Sequence, residues 1–399
     1  MDNISVMICD DSALMRNLIG RIIEDVNGFS VAGKAENGLD LLEKLPACKP
    51  DIILLDIEMP KMNGVEFLKK RKELGIKIPV IILSSVATEG AAVTMECLEL
   101  GASDFITKPG GTSVTLRIGD VSSNIIEFIA SYGRIQAFKN GKKVPDADFY
   151  VQQAKLKEAQ RVVAQKKGEE AAKKAAESLT ELLPAHWTAP KKKEPVVIVP
   201  EEESGNIEII AIGISTGGPN ALRDMCKLLD KNIKQPILIV QHMPAGFTKE
   251  FAESLNNICP LTVSEAVDGE PLLPGHVYVA PGSYHMYVER RALANVIRTS
   301  QTIEPRNGHR PSADVLFESI AHIYRNKSLG VIMTGMGRDG AAELANMRKK
   351  GARTLGQDEA SSIVYGMPKV AWELGGVQKQ VSLENMANEI NTLALTYHN

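Results

Sequence analysis

The sequence predicts an α/β protein in two parts, each a parallel sheet with helices wound on both faces, joined by a long charged tether. Three observations carry that expectation. Short apolar runs alternate with segments of helix length, the pattern of parallel sheets with crossover helices. Each run stops at a turn bearing a carboxylate, hydroxyl, amine or imidazole, and such groups at the carboxyl ends of neighbouring strands converge on one crevice. The two stretches are separated by a segment dominated by Ala, Lys, Glu and Pro. At 399 residues, the chain has room for two or three domains that each bury a core.

In the amino-terminal part, the run from Ile4 to Cys9 is a short strand ending in Asp10 and Asp11, and DIILL from Asp51 to Leu55 is another ending in Asp56. A third, Pro79 to Leu83, ends in Ser84 and Ser85; a fourth, Ser103 to Thr107, ends in Lys108 and Pro109. The strand-end rule gathers three carboxylates, a hydroxyl and an amine in one pocket. Clustered carboxylates repel unless a hard cation sits among them. Mg²⁺ suits the set because it accepts a few carboxylates beside water and phosphate oxygens. A lysine opposite supplies a point charge for a phosphoryl oxygen. Read singly, each of these residues is equally at home as a solvated turn group.

The tether runs from about Lys139 to Gly205. Ala154 to Leu183 favours helix by propensity, but its apolar residues form no broad stripe. Pro184, Pro190, Pro195 and Pro200, with the blocks Lys191 to Lys193 and Glu201 to Glu203, read as an extended spacer. A docking helix is the functional alternative, since a tether raises the effective concentration of what it carries.

In the carboxyl-terminal part, IEIIAIGISTGGP from Ile207 to Pro219 is an apolar strand that breaks at glycines around Ser215 before a helix over Asn220 to Leu229. Gly213, Ser215 and Gly217 satisfy a G-x-S-x-G elbow, which lifts a serine hydroxyl out of the backbone. A phosphate or dinucleotide cradle and a plain connecting turn are the other readings of this loop. A dinucleotide site wants an acidic residue about 20 positions on, whereas the next strand, Pro236 to Val240, ends in Gln241 and His242. A third strand, Ser328 to Thr334, runs into a glycine-rich loop that carries Asp339. Serine, imidazole and carboxylate thus share one sheet edge. The imidazole takes the hydroxyl proton and the carboxylate fixes the imidazole. The chain order Ser, His, Asp differs from the Ser, Asp/Glu, His order of α/β-hydrolases.

The blocks GISTGGP (Gly213 to Pro219), QHMPAGF (Gln241 to Phe247), Asp268-Gly269-Glu270, Ala280-Pro281-Gly282, NGHRPSADVLF (Asn307 to Phe317), TGMGRDG (Thr334 to Gly340) and QDEASSIVYGMP (Gln357 to Pro368) resemble the catalytic domain of chemotaxis-type protein-glutamate methylesterases, in order, from about Ile207 onward. The resemblance implies Ser215 as nucleophile, His242 as general base, Asp339 as the acid that orients it, and an oxyanion site near the backbone of Thr216 and Met336. It implies hydrolysis of receptor glutamate methyl esters and deamidation of receptor glutamines.

Over about residues 3 to 138, Asp10-Asp11-Ser12, Asp56-Ile57-Glu58-Met59-Pro60, Asn63-Gly64, Ser84-Ser85 and Thr107-Lys108-Pro109 resemble a two-component receiver domain, which implies a flavodoxin-like fold. The resemblance implies phosphorylation at Asp56 by a histidine kinase. It implies Mg²⁺ held by Asp10 or Asp11, Asp56 and the carbonyl of Glu58, with phosphate contacts from Ser84 and Lys108. Phe105 stands at the family's aromatic switch position and lacks a hydroxyl. A receiver that covers the catalytic cleft until phosphorylated is the implied control. The expected domains are therefore 1–138, 139–205 and 206–399.

Composition excludes some classes. The chain carries a net charge of −3, which offers no basic surface for nucleic acid. It has no run of 18 apolar residues and no signal peptide at its start, so a cytoplasmic protein without membrane insertion is expected, and separately a monomer. Five cysteines without C-x-x-C spacing fit reduced thiols. His285 and His309 lack metal-ligand spacing, so no metal is expected in the carboxyl-terminal domain. His309, Arg310 and Ser312 are expected to line or brace the cleft. The rival readings are the same chemistry on a non-chemotaxis receptor and a phospho-responsive adaptor without catalysis. A receiver-controlled transcription factor would need a basic recognition helix at the carboxyl end, where strands and helices alternate instead.

Overall fold

The computed structural model describes residues 2–84, 88–108, 122–154, 156–157, 194–292 and 294–398. The chain forms two compact units, with the main boundary at residue 193. Ser85, Pro109 and, beyond residue 157, the helix expected over Ala154 to Leu183 lie outside the described residues.

In the first unit five parallel strands run in the order β2-β1-β3-β4-β5: β1 (Ile4–Cys9), β2 (Phe29–Ala35), β3 (Ile52–Asp56), β4 (Val80–Ser84) and β5 (Asp104–Thr107). That order is flavodoxin-like, and it places a switch point between β1 and β3, whose carboxyl ends carry Asp10 and Asp56. Strands β3 and β4 are buried along their whole length, which is why IILLD and VIILS read as continuous apolar runs. Side chains start the helices. Ser12 caps α1 (Ala13–Glu24) through the Met15 N–H, and Asn37 caps α2 (Gly38–Cys48) through two N–H groups. Asn63 and Glu66 form a reciprocal capping box on α3 (Gly64–Glu73). Helix α4 (Thr88–Glu99) links β4 to β5, and the described chain resumes in a helix from residue 122 that continues through a π-helical turn into α5 (Arg134–Lys139).

The first stretch of the expected tether is folded onto this unit. Lys142 Nζ reaches Asp51 Oδ2 at 2.6 Å, and the wholly buried Tyr150 stacks on Phe29 with ring centroids 4.6 Å apart. The last stretch lies along the second unit, where the Val196 N–H donates to Glu373 O, the Glu201 N–H to Lys349 O and the Gly205 N–H to Asn326 O.

The second unit holds a parallel sheet, seven-stranded among the described residues, ordered β14-β13-β12-β6-β7-β9-β8. Its members are β6 (Ile209–Ile214), β7 (Ile237–Gln241), β8 (Thr262–Glu265), β9 (His276–Val279), β12 (Ser328–Ile332), β13 (Arg353–Gln357) and β14 (Lys379–Val381). An antiparallel hairpin, β10 (His285–Arg290) with β11 (Asn295–Ser300), stands apart from the sheet. From β6 the chain goes one way, through α6 (Gly218–Cys226) to β7 and α7 (Phe247–Asn256); from β12 it goes the other, through α9 (Ala341–Lys349) to β13. The switch point between β6 and β12 opens the crevice.

Helix α8 (Ala313–Ile323) packs against β10 and α9, while α10 (Met367–Glu373) and α11 (Leu383–Thr396) complete the unit. Phe317 on α8 is wholly buried in the main apolar cluster. Its ring lies beneath Gly213 of β6 and Gly340 of the loop after β12, where an added Cβ would approach it to 3.1 Å at either position. One ring thus supports both the strand leading to Ser215 and the loop holding Asp339.

Phe317→Ala is expected to destabilise the second unit by about 3–5 kcal/mol through lost burial and a cavity. Urea denaturation measures this, and a change below about 1 kcal/mol contradicts the packing described.

Candidate active site

Each strand that meets the crevice between β6 and β12 delivers one functional group. The Ser215 N–H donates to Thr334 O at 2.9 Å, which ties the turn after β6 to the end of β12. Gly217 caps α6 with φ 80°, a left-handed conformation that β-branched residues avoid, and a Cβ there would lie 2.8 Å from Ile363. The sharp turn leaves Ser215 beside His242, the first residue past β7. The Ser215 Oγ to His242 Nδ1 distance is 3.0 Å, and His242 Nε2 lies 2.8 Å from Asp339 Oδ2. The three residues that the sequence pattern singled out are therefore brought together.

The imidazole is turned the other way round from the serine-protease arrangement, in which Nε2 faces the serine. A carboxylate only accepts, so Nε2 carries the proton towards Asp339 and the Nδ1 lone pair faces the Ser215 hydroxyl.

Asp339 is wholly buried. Its Oδ1 accepts from Ser312 Oγ at 2.6 Å and Asn307 Nδ2 at 3.1 Å, with a longer approach from the Asp314 N–H at 3.4 Å. Its Oδ2 accepts from the Ala313 N–H at 2.6 Å as well as from His242. Ser312 is the N-cap of α8, so the carboxylate sits at that helix's positive end. Burial alone would raise its pKa, but His242, Ser312 and the Ala313 N–H outweigh burial and hold the carboxyl well below the usual carboxylate range.

The remaining predicted residues sit around this line. The Met336 N–H has no hydrogen-bond partner among the described residues, as an oxyanion donor requires, while Thr216 O accepts from Thr334 Oγ1 at 2.9 Å. Arg310 Nη1 donates to Gln301 O and Ile303 O, so it braces its own loop. His285 donates towards Glu304 O from within the core.

Three contributors carried no separate role in the sequence. Gln241 Nε2 donates to both Ser215 O and His242 O at 3.1 Å, stitching the turn after β6 to the turn after β7. Asn307 holds Asp339, and its signal was its place before Gly308 in a turn. Thr334 Oγ1 bonds Thr216 O and receives the Val364 N–H.

In the first unit, Asp10, Asp11 and Asp56 present ligand atoms within 4.8 Å of one another. Among the described residues this is the one such cluster of three or more His, Cys, Asp or Glu. Lys108 Nζ bridges Asp10 Oδ2 at 2.9 Å and Asp56 Oδ2 at 2.7 Å. Burial works against its charge, but the two carboxylates outweigh burial and hold the ammonium above its ordinary pKa. Three carboxylates converging on one spot are a donor set that suits a hard cation. Ser84 ends β4 fully buried, with its carbonyl accepting the Lys108 N–H, and Phe105 is buried on β5. Glu58 is exposed in the turn after Asp56.

Residues 210–390 match the family model described as CheB methylesterase, and residues 6–117 match that of the response regulator receiver domain. The chain is similar to proteins named protein-glutamate methylesterase/protein-glutamine glutaminase. The Treponema denticola protein is 50% identical over 391 residues, covering 98% of each chain. The Treponema pallidum protein is 50% identical over 397 residues, covering 98% of this chain and 97% of the relative. That of Halalkalibacterium halodurans is 38% identical over 387 residues, covering 97% of each.

His309 lies flat on His242, and burial, reinforced by His242, pushes its pKa down to about 4 against a smaller opposing pull from Asp339. An unfolded chain takes up that proton near 6.5. Between those two values the unfolded state binds more protons, so this group's contribution makes stability fall as the pH falls. NMR titration of the imidazole protons is expected to find His309 neutral at pH 5. Protonation near pH 6.5 contradicts the site described.

Proposed function

The chain belongs to the protein-glutamate methylesterase/protein-glutamine glutaminase family, and from that premise we propose that Ser215, His242 and Asp339 perform its hydrolysis under control of phosphorylation at Asp56. The protein is a phosphorylation-regulated chemotaxis methylesterase and glutaminase with a two-component receiver domain. The observation that carries the residue assignment is the unbroken line Ser215 Oγ, His242 Nδ1, His242 Nε2, Asp339 Oδ2, with links of 3.0 and 2.8 Å.

Ser215 Oγ attacks the γ-carbonyl carbon of a glutamate methyl ester while Nδ1 of His242 takes the hydroxyl proton. The resulting imidazolium is stabilised by Asp339, which needs no proton of its own because its other partners keep it ionised. The Met336 N–H, with Thr216 as second candidate, holds the oxyanion. His242 returns its proton to the departing methoxide, and methanol leaves. Water, activated by the same nitrogen, then cleaves the acyl-serine to glutamate. With a glutamine side chain, ammonia leaves in place of methanol and the later step is identical.

In the receiver, Asp56 attacks the phosphorus of a phosphohistidine donated by a histidine kinase, forming an acyl phosphate and freeing the kinase imidazole. Asp10, Asp11 and Asp56, with the Glu58 carbonyl, would hold Mg²⁺, which when bound neutralises charge on the phosphoryl group. Lys108 is placed to exchange a carboxylate for a phosphoryl oxygen, and Ser84 to donate a hydrogen bond to another. Phe105 carries no hydroxyl, so it responds by packing. Phosphorylation controls the esterase by favouring one of two states that differ in free energy.

Domains at 1–138 and 206–399, with a connecting segment between them, form part of this reading, as does action as a cytoplasmic monomer on membrane receptors. Among the described residues no helix is long and apolar enough to cross a membrane.

Methanol release from methylated receptor membranes, with and without an acyl phosphate and Mg²⁺, tests both sites. Ser215→Ala is expected to lose at least about 10⁴-fold in rate, because members of such a triad act as a unit. Asp56→Asn is expected to keep basal release and lose the response to the phosphodonor. Near-native turnover by the first variant, or full stimulation of the second, contradicts the corresponding assignment.

A further inference from the structure

One short loop grips both the base and the acid of the catalytic line. Asn307, Ser312 and the N–H groups of Ala313 and Asp314 hold Asp339, and between them His309 lies flat against His242. The two imidazole rings are 3.9 Å apart at their centroids and 10° from parallel. The loop is stiff at this point. Arg306 and His309 exchange reciprocal backbone hydrogen bonds of 3.1 and 3.0 Å, and Asn307 and Gly308 between them take left-handed φ values of 52° and 80°.

A histidine base needs its ring plane fixed as well as its two hydrogen bonds. Bonds to Ser215 and Asp339 restrain the two nitrogens, yet both lie near the ring plane and resist tilting out of it poorly. A flat ring on one face supplies that restraint. A neutral aromatic face also favours the positive imidazolium that forms during turnover.

We propose that His309 is a positioning residue for the reaction, holding His242 in the plane that joins Nδ1 to Ser215 and Nε2 to Asp339 through ring stacking. Its own nitrogens take no part. The inference rests on His242 being the base. Stacked aromatic pairs shift an equilibrium by up to about tenfold, which sets the size of the effect.

The test compares His309→Ala, His309→Phe and His242→Gln in the full chain, by methanol release from methylated receptor membranes. His309→Ala is expected to lower kcat about tenfold with KM changed less than about twofold, and His309→Phe, which restores a neutral ring, to recover kcat to within about twofold. Nitrogen NMR of His242 is the structural readout: the Nε2-protonated form persists in the phenylalanine variant and gives way to mixed tautomers in the alanine variant.

An alanine variant within twofold of the native rate overturns the proposal, as does an effect confined to KM. A phenylalanine variant as impaired as alanine, with the fold intact by circular dichroism, also overturns it by pointing to the imidazole nitrogens. His242→Gln reports separately on the premise: near-native turnover there removes the base assignment itself, whatever the His309 variants do.

Discussion

The buried carboxylate of Asp339 is the constraint around which the catalytic unit is arranged. An ionised group with no solvent access is costly unless hydrogen bonds replace its water, and here both oxygens receive them. Ser312, Asn307, Ala313 and His242 each donate within 3.1 Å, and the positive end of α8 adds its field. The arrangement dictates the tautomer of His242, and the tautomer dictates that a lone pair faces Ser215. Removing any donor leaves the anion less well held. Removing the anion leaves a group of donors aimed at nothing and a base free to turn.

The sheet supplies the positions for this chemistry. Ser215, His242 and Asp339 lie 27 and 97 residues apart along the chain, and they meet because β6, β7 and β12 are neighbours whose carboxyl ends open on one side. The first unit applies the same rule to other ends. There β1, β3 and β5 bring the adjacent Asp10 and Asp11, Asp56 and Lys108 together. A parallel sheet with a switch point thus gathers a serine, an imidazole and a carboxylate in one unit and three carboxylates and an amine in the other, and the residues at the strand ends decide which.

Much of this was legible because buried parallel strands leave long apolar runs with abrupt polar ends. Strands β1, β3, β4, β6, β7 and β12 are of that kind, and Asp10, Asp11, Asp56, Ser84, Ser215 and His242 stand at or just past such ends, while Asp339 lies further on, in the glycine-rich loop after β12. Edge and exposed elements leave weaker traces. Strand β2 mixes Ser30, Gly33 and Lys34 with apolar residues because most of it is only half-buried at the sheet edge. Between β10 and β11 the sequence has no Asn-Gly or Asp-Gly pair of the kind that marks tight hairpins. The helix after Gly217 begins at Gly218, before the expected Asn220, since Pro219 suits its first turn, and it ends at Cys226, before the expected Leu229. The donors to Asp339, the two hydrogen bonds of Gln241 to the loops after β6 and β7 and the ring stack of His309 depend on tertiary placement. No spacing rule connects an asparagine at 307 to a carboxylate at 339.

The catalytic line depends most directly on the ionised Asp339 holding His242, and Asp339→Asn isolates that link by keeping the side-chain shape while removing the charge and turning one acceptor into a donor. The measurement is the rate of methanol release from methylated receptor membranes, with the fold checked by near-ultraviolet circular dichroism. The expected result is a loss of about 10⁴-fold with the fold retained, the size seen when the acid of such a triad is neutralised. A folded asparagine variant that releases methanol within about tenfold of the native rate would contradict it.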